Sequence, residues 1–380
     1  MLIQNAKAFI DGKFQEKTDL LIRDGRISAI GTGLAAEGEE LLDLGGDLLL
    51  PGFVDVHIHA FKGMDTMQGE EAVRHMSREL KKVGVAAFLP TTMSASPEDT
   101  VRALTGVKAV MERPEPDGAI VLGAHMEAPF LAEAKAGAQL KQYFVDPNEE
   151  NWQRYTGGLE SVVRLITMAP ERAGALAFIS ALTKKGITVS IGHTTADAET
   201  THAAAEAGAT HVTHTFNAQT PLNHRAPGVP GAALVDDRLQ CEVISDGIHL
   251  HPDIVTLIIR TKGKEKLVAI TDAMEAADMP DGDYDLGGQK VFVRGGAARL
   301  AAGNLAGSTL TLERGVRNAM RFAGLSLEQA AAMASANVAD ALGLADRGRI
   351  RPGLRADLCL LDTAGEVRMT LVAGKIVYER

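Results

Sequence analysis

Residues 51–60 read Pro51-Gly-Phe-Val-Asp-Val-His-Ile-His-Ala60 and close an apolar run that begins at residue 48. His57 and His59 are two positions apart, and alternate side chains of an extended strand share one face. We therefore expect both imidazoles to point the same way at the carboxyl end of a buried strand. This arrangement suits a metal site, although an H-x-H pair by itself is equally compatible with two histidines at a polar strand end.

The composition limits the class of protein. The 380 residues suffice for one large domain and a smaller one, and 46% hydrophobic with 23% charged residues is typical of a soluble globular chain. The net charge of −10 argues against a nucleic-acid or membrane partner but permits a small anionic substrate bound by local cations. Cys241 and Cys359 lie in apolar runs, which indicates buried thiols. Since the sequence shows neither a signal peptide nor an apolar span, we expect a cytoplasmic protein.

The two ends of the chain have the same character. Residues 1–50 contain short strand-like runs separated by Asp11-Gly12 and Asp24-Gly25, which are hairpin signals. Residues 346–380 are likewise built of short strand-like runs. Each segment is too small to form a stable sheet alone. We therefore expect both ends to join in one small β domain beside a central domain of residues 51–345.

In the central region, apolar strand-like runs alternate with amphipathic helical stretches. The strand-like runs are 48–56, 85–90, 119–124, 162–168, 188–191, 209–212, 242–244 and 267–270. The helical stretches are 70–83, 97–112, 171–185, 197–207 and 252–261, followed by a β-rich insert at 282–300 and two helices at 309–322 and 327–342. Eight such units over about 250 residues predict an α/β fold with a TIM-like (β/α)8 barrel. A doubly wound open sheet is the alternative, because strand order is not written in a sequence.

Side chains capable of chemistry follow these runs. They are His57 and His59 after the first, His125 and Glu127 after the third, His193 after the fifth, His214 after the sixth, Asp246 and His249 after the seventh, and Asp272 after the eighth. In a barrel the carboxyl ends of the strands meet at one mouth, where active sites form. His211 lies within the sixth run and is expected to be a packed residue.

Histidine nitrogens and carboxylate oxygens are ligands for a divalent ion such as zinc or iron. His193, His214 and Glu127 can supply one site with an open position, while His57 and His59 supply a second site or assist the first. A carboxylate shared by two ions would suit Glu127.

Asp272 follows its run without a neighbouring base. It is well placed to take a proton from an activated water and pass it to a leaving group. The alternative is a turn or N-cap aspartate.

A set of motifs in fixed order extends this picture. They are Asp55-Val-His-Ile-His59, Gly123-Ala-His-Met-Glu-Ala-Pro-Phe130, Gly192-His193-Thr194, His214-Thr-Phe-Asn-Ala218, Arg225-Ala-Pro-Gly228, Ser245-Asp-Gly-Ile-His249, Thr271-Asp-Ala-Met274 and Leu305-Ala-Gly-Ser-Thr-Leu310. With them the chain resembles the amidohydrolase superfamily and, within it, the N-acetylglucosamine-6-phosphate deacetylase family. The resemblance implies a (β/α)8 barrel, a small β-sandwich built from both termini, a homodimer, and one or two divalent ions per chain. Zinc or iron is expected, with manganese or cobalt as alternatives.

The resemblance also implies roles for individual residues. Glu127, His193 and His214 match metal ligands, Asp272 matches the catalytic acid/base, and His57 and His59 match a metal-binding pair that only some members have. The positions that match substrate-binding residues are Ala138, Gln139, Asn217, Ala218, Arg225, His249, Leu305, Ala306 and Gly307. Arg225 is the fixed cation for a phosphate group and, by the resemblance, reaches across a dimer interface.

Two positions depart from the family pattern. Ala128 replaces a usual glycine, which disfavours a positive φ there. Gln139 stands where many members have a histidine near the acetamide carbonyl, so polarisation of that carbonyl would rest more on the metal and on His125 or His249.

The expected activity is hydrolysis of N-acetyl-D-glucosamine 6-phosphate to D-glucosamine 6-phosphate and acetate. The alternatives are deacetylation of a related sugar phosphate such as N-acetylgalactosamine 6-phosphate, another amidohydrolase reaction, or a non-catalytic barrel that senses sugar phosphates.

Overall fold

The computed structural model describes residues 1–35, 38–362 and 365–380. The strands are β1 (Leu2–Ile10), β2 (Lys13–Arg23), β3 (Arg26–Gly31), β4 (Leu41–Asp43), β5 (Leu48–Pro51), β6 (Phe53–Ile58), β7 (Ala60–Phe61), β8 (Met64–Asp65), β9 (Val85–Thr92), β10 (Ile120–Val121), β11 (Ala124–Met126), β12 (Val163–Met168), β13 (Thr188–Ile191), β14 (His211–Val212), β15 (Gln240–Val243), β16 (Leu267–Ala269), β17 (Gly282–Leu286), β18 (Gln289–Arg294), β19 (Ala297–Leu300), β20 (Leu358–Leu361), β21 (Val367–Val372) and β22 (Lys375–Glu379). The helices are α1 (Glu70–Leu80), α2 (Pro97–Glu112), α3 (Glu149–Thr156), α4 (Ala175–Lys184), α5 (Ala198–Ala207), α6 (Gly228–Val235), α7 (Pro252–Lys262), α8 (Leu312–Ala323), α9 (Leu327–Met333) and α10 (Ala336–Ala341).

The first sheet is formed by both ends of the chain, as predicted. Its strand order is β22-β21-β20-β5-β1-β2-β3, and β4 pairs with β1. The Asp11-Gly12 turn joins β1 to β2, and the Asp24-Gly25 turn joins β2 to β3, which confirms both hairpins. All four turn residues have positive φ, the conformation that a two-residue hairpin turn of type I′ requires.

The apolar run at 48–56 is not one strand, which corrects the sequence-based prediction. β5 pairs with β1 and β20 in the terminal sheet, whereas β6 pairs with β9 in the barrel. The chain passes between the sheets at Gly52, where a Cβ atom would lie 2.5 Å from the Cβ of Ala86. Because the run is apolar on both sides of Gly52, its hydrophobic pattern does not indicate where one strand ends and the next begins.

The second sheet is the predicted barrel. Its parallel strands follow the order β6-β9-β11-β12-β13-β14-β15-β16, with β10 also paired to β9. A parallel bridge between Ile58 and Ala273 brings the first strand to the chain that leaves the eighth, and Asp272 N–H donates to His57 O at 2.8 Å. This sequential, nearly closed order excludes the doubly wound alternative.

Helices lie close to the predicted stretches, and two further helices, α3 and α6, were not predicted. Ser96 caps α2 ahead of Pro97, and Ser326 and Gln329 form the predicted capping box of α9. The single helix predicted over 327–342 is two helices, because the chain turns between α9 and α10, where Ala334 O accepts the N–H of Val54 at 2.8 Å. The predicted β-rich insert is the antiparallel sheet of β17, β18 and β19.

Two further features agree with the composition. Cys241 and Cys359 are free and buried, as predicted. Among the residues that the structure describes, no helix combines the length and apolarity needed to cross a membrane.

Candidate active site

Six side chains predicted for the mouth of the barrel lie together there. Each one lies at the carboxyl end of a barrel strand or in the residues that directly follow it. The strands are β6 for His57 and His59, β11 for Glu127, β13 for His193, β14 for His214 and β16 for Asp272. All six are buried. The convergence follows from parallel strands, whose carboxyl ends share one face of the barrel.

The Glu127 carboxylate is at the centre of this cluster. Its Oε1 lies 3.3 Å from His57 Nε2, 3.2 Å from His193 Nε2 and 3.0 Å from His214 Nε2, and its Oε2 lies 3.1 Å from His59 Nε2. Within the described residues, His57, His59 and Glu127 form one group able to hold a metal ion, and Glu127, His193 and His214 form another. Glu127 therefore belongs to both groups.

The charges of the cluster favour a cation. Burial lowers the pKa of His59, but Asp272 and Glu127 outweigh it and raise the pKa to about 9. Burial likewise opposes protonation of His57, yet the two carboxylates raise its pKa well above the usual value. Burial raises the pKa of Glu127, but His57 and His193 hold it well below its ordinary range. The raised pKa values of His57 and His59 show that the carboxylates favour a positive charge at this position.

The donor set fits a divalent metal ion. His193 Nε2 and His214 Nε2 are 3.1 Å apart, and they lie 3.2 Å and 3.0 Å from Glu127 Oε1, so two nitrogens and one carboxylate oxygen surround the same position. Imidazole nitrogens and one carboxylate, all buried, are the ligands of borderline ions such as zinc and iron. A cation between them would satisfy all of these atoms at once.

Three of the site residues have backbone conformations that are uncommon outside glycine. φ is +47° at His193, +29° at His214 and +51° at Asp272. Such strain persists where surrounding contacts over-determine it, and it concentrates at functional sites. Here the contacts include Asp272 N–H to His57 O at 2.8 Å, and His214 N–H to Glu242 Oε2 at 3.1 Å.

The outer nitrogens of three histidines also have partners. His57 Nδ1 lies 3.1 Å from Glu242 Oε2, His59 Nδ1 lies 3.2 Å from Thr91 O, and His193 Nδ1 lies 2.8 Å from Lys135 O. Because these partners accept hydrogen bonds, they favour the tautomer that carries its hydrogen on Nδ1. The lone pair is then on Nε2, the nitrogen that faces Glu127. The sequence analysis did not identify Glu242, although a carboxylate inside a buried strand was a signal for it.

A cavity of about 290 Å³ opens above this cluster of histidines and carboxylates. Of the predicted substrate-binding residues, it is lined by Ala138, Gln139, Asn217, Ala218, His249 and Leu305. Ala306 and Gly307 do not line it, and Arg225 lies on an exposed loop outside it. Six residues that the sequence analysis did not predict also line it, namely Met93, Ala134, Lys135, Gly137, Leu286 and Asn304.

Gln139 is held in place by two hydrogen bonds. Its Oε1 accepts the N–H of Ser94 at 2.7 Å, and its Nε2 donates to Glu127 Oε2 at 2.5 Å. The amide thus restrains the shared carboxylate. Ala128, the other departure from the family pattern, does not adopt a positive φ, so its Cβ is accommodated.

Of the two histidines considered as carbonyl donors, one lines the cavity. His249 does so, and its Nδ1 lies 2.7 Å from Asp246 Oδ2. His125 instead packs inside the barrel, where its Nε2 lies 2.8 Å from Thr167 Oγ1. Burial and the neighbouring His57 hold the pKa of His125 well below its usual value, so it stays neutral.

Comparison with known proteins gives a consistent result. Residues 48–377 match the amidohydrolase family. The chain is 38% identical to an N-acetylglucosamine-6-phosphate deacetylase of Lysinibacillus sphaericus, over 99% of this chain and 97% of that one. It is 36% identical to an N-acetylgalactosamine-6-phosphate deacetylase of Escherichia coli, over 94% of each. Its fold superimposes with a TM-score of 0.92, at 34% identity and 99% coverage of both chains, on an aspartate-to-alanine mutant of the Mycobacterium smegmatis N-acetyl-D-glucosamine-6-phosphate deacetylase in complex with N-acetyl-D-glucosamine 6-phosphate.

Proposed function

The chain belongs to the amidohydrolase family, and we propose that it hydrolyses N-acetyl-D-glucosamine 6-phosphate to D-glucosamine 6-phosphate and acetate. The observation that carries this proposal is one buried carboxylate, Glu127, surrounded by four histidines beneath a cavity that Asp272 also lines. The names of the relatives support the choice of substrate. The activity belongs to amino sugar metabolism.

Glu127, His193 and His214 would hold one divalent ion, and His57 and His59 would hold a second together with Glu127. An ion bound there supplies Lewis-acid activation of water and of the amide carbonyl. Asp272 accepts the proton of the attacking water and returns it to the departing amine nitrogen. Its Oδ1 lies 3.2 Å from His59 Nε2, which places the carboxylate beside the ligands.

The remaining lining residues orient the sugar phosphate. In a chain of net charge −10, a phosphate needs local positive groups. Lys135 lines the cavity, and Asp246 raises the pKa of His249 against the opposing effect of burial. Gln139, Asn217 and Ala218 add polar contacts, and Leu305 borders the sugar.

We also propose that the enzyme is a cytoplasmic homodimer in which Arg225 completes the phosphate site of the neighbouring subunit. Arg225 is exposed and outside the cavity of its own chain, which supports an action across an interface. A phosphorylated sugar is charged and does not cross a bilayer unaided, which supports a cytoplasmic location.

The direct test is acetate release from purified, metal-loaded protein. We expect faster turnover on N-acetyl-D-glucosamine 6-phosphate than on N-acetyl-D-galactosamine 6-phosphate when the two are assayed side by side. N-acetyl-D-galactosamine 6-phosphate is the alternative substrate because the Escherichia coli relative is named for its deacetylation. Faster release from the galactosamine compound would reverse the assignment, and binding without release would indicate a sugar-phosphate sensor. Elemental analysis of the same sample would identify the metal among zinc, iron, manganese and cobalt.

Arg225→Met should raise KM by about 10- to 100-fold with a smaller effect on kcat, because a charge-assisted phosphate contact is lost. Arg154→Met, an exposed arginine on α3, is the matched control and should leave KM unchanged. Mixing Arg225→Met with Asp272→Asn chains distinguishes action across the interface from action within one chain. Activity should return in mixed dimers, since one subunit supplies Asp272 and the other Arg225. Mixed dimers that keep the raised KM of Arg225→Met would place Arg225 in the site of its own chain. An unchanged KM in Arg225→Met itself would place Arg225 outside the reaction.

A further inference from the structure

We propose that Glu242 is the positioning residue for the ion site of His57 and His59. The inference deepens the proposed function and rests on its metal requirement. Glu242 lies in β15 with 0% of its surface exposed. Its Oε2 accepts hydrogen bonds from His57 Nδ1 and from the backbone N–H of His214, each at 3.1 Å. One carboxylate oxygen therefore contacts a residue of each metal-binding group.

The contact with His57 sets the chemistry of that ligand. A hydrogen bond from Nδ1–H leaves the Nε2 lone pair facing Glu127, and a carboxylate partner makes the imidazole a stronger donor to a metal. The Nδ1 atoms of His59 and His193 contact backbone carbonyls instead, those of Thr91 and Lys135. Among these three histidines, His57 is the one whose Nδ1 contacts a carboxylate.

The cost of burying Glu242 points to a cation. Its Oε1 has no hydrogen-bond partner within the described part of the chain. A buried carboxylate that is only half satisfied is destabilising unless a positive charge compensates it. Two divalent ions would carry more positive charge than Glu127 and Asp272 balance, and Glu242 supplies a further negative charge next to His57.

A purely structural role makes a different prediction. Glu242 connects strand β15 with β6 and with the turn after β14. If it served only to hold these segments together, its replacement would weaken the fold and both ion sites alike. A positioning role weakens the ion at His57 and His59 selectively. Its effect also disappears once His57 is absent.

The experiment measures metal affinity and not turnover. Glu242→Gln keeps the shape and one acceptor oxygen but removes the charge. We expect the dissociation constant of the more weakly held ion to rise about 10- to 100-fold, with the ion at His193 and His214 retained. The readouts are elemental analysis after dialysis against graded chelator and the Co²⁺ absorption spectrum, with circular dichroism to establish folding. If Glu242→Gln does not fold, Glu242→Asp, which withdraws the carboxylate from His57, replaces it in the comparison.

Glu313→Gln is the matched control, because Glu313 is a carboxylate on α8 that also has one oxygen without a partner in the described residues and lies outside the site. Its metal affinity should match the wild type. In a His57→Ala background, Glu242→Gln should cause no further change in metal binding.

Unchanged binding of both ions, equal loss of both, or a wild-type chain that binds a single ion would each overturn the proposal. Acetate release by the wild-type chain tests the proposed function separately, so failure of one is distinguishable from failure of the other.

Discussion

Asp272→Asn is expected to lower kcat by about 100- to 10,000-fold while the chain keeps its fold and the ion at His193 and His214. Burial opposes ionisation of Asp272, but His57 and His59 outweigh it and lower its pKa to about 2, so the carboxylate is ionised near neutral pH. An asparagine has the same shape but cannot accept the proton of water. The hydrogen bond from the backbone N–H of residue 272 to His57 O is independent of the side chain and remains.

The measurement is acetate release at saturating substrate, with metal content determined on the same sample. Asp278→Asn is the matched control, because Asp278 is an exposed aspartate in the same segment and also has a positive φ, which asparagine tolerates. This control should retain normal turnover. A metal-loaded Asp272→Asn protein with near-normal kcat would remove Asp272 from the proton-transfer role.

The barrel was predictable because its signals are local and repeated. Runs such as 85–90 and 267–270 are continuously apolar, as strands covered on both faces are, and Ser96-Pro97 marks the start of a helix. The site followed from the same pattern, since polar residues directly after parallel strands meet at one rim. Glu127 and His214 are 87 positions apart in the chain, yet their side chains meet at 3.0 Å.

Other elements lacked such signals. The helix α6 contains Gly228, Pro230 and Gly231, residues of low helix propensity, and its formation depends on tertiary packing. The division of the run at 48–56 depends on which partner strands are available on each side of Gly52. The amide of Gln139 and the carboxylate of Glu242 form hydrogen bonds with Glu127 and His57, which are distant in the sequence, and such pairings are not encoded in local spacing.

Glu127→Ala is expected to abolish binding of both ions and with it the hydrolytic activity. The reason is geometric, because Glu127 is the one residue shared by both metal-binding groups of the described chain. The double variant His57→Ala/His59→Ala is the comparison, and it should lose one ion per chain while Glu127, His193 and His214 retain the other with part of the activity. Both proteins are assayed for metal by elemental analysis and for acetate release, with circular dichroism to establish folding.

The outcomes separate the two groups of ligands. Without the carboxylate, the Nε2 atoms of His193 and His214, which are 3.1 Å apart, have no shared anion. Neither group then reaches the three ligands that a tightly held catalytic ion needs. A Glu127→Ala chain that still binds one ion would show that Glu127 serves a single site. Loss of all metal from the double histidine variant would instead make His57 and His59 the primary ligands, and the site at His193 and His214 would depend on them.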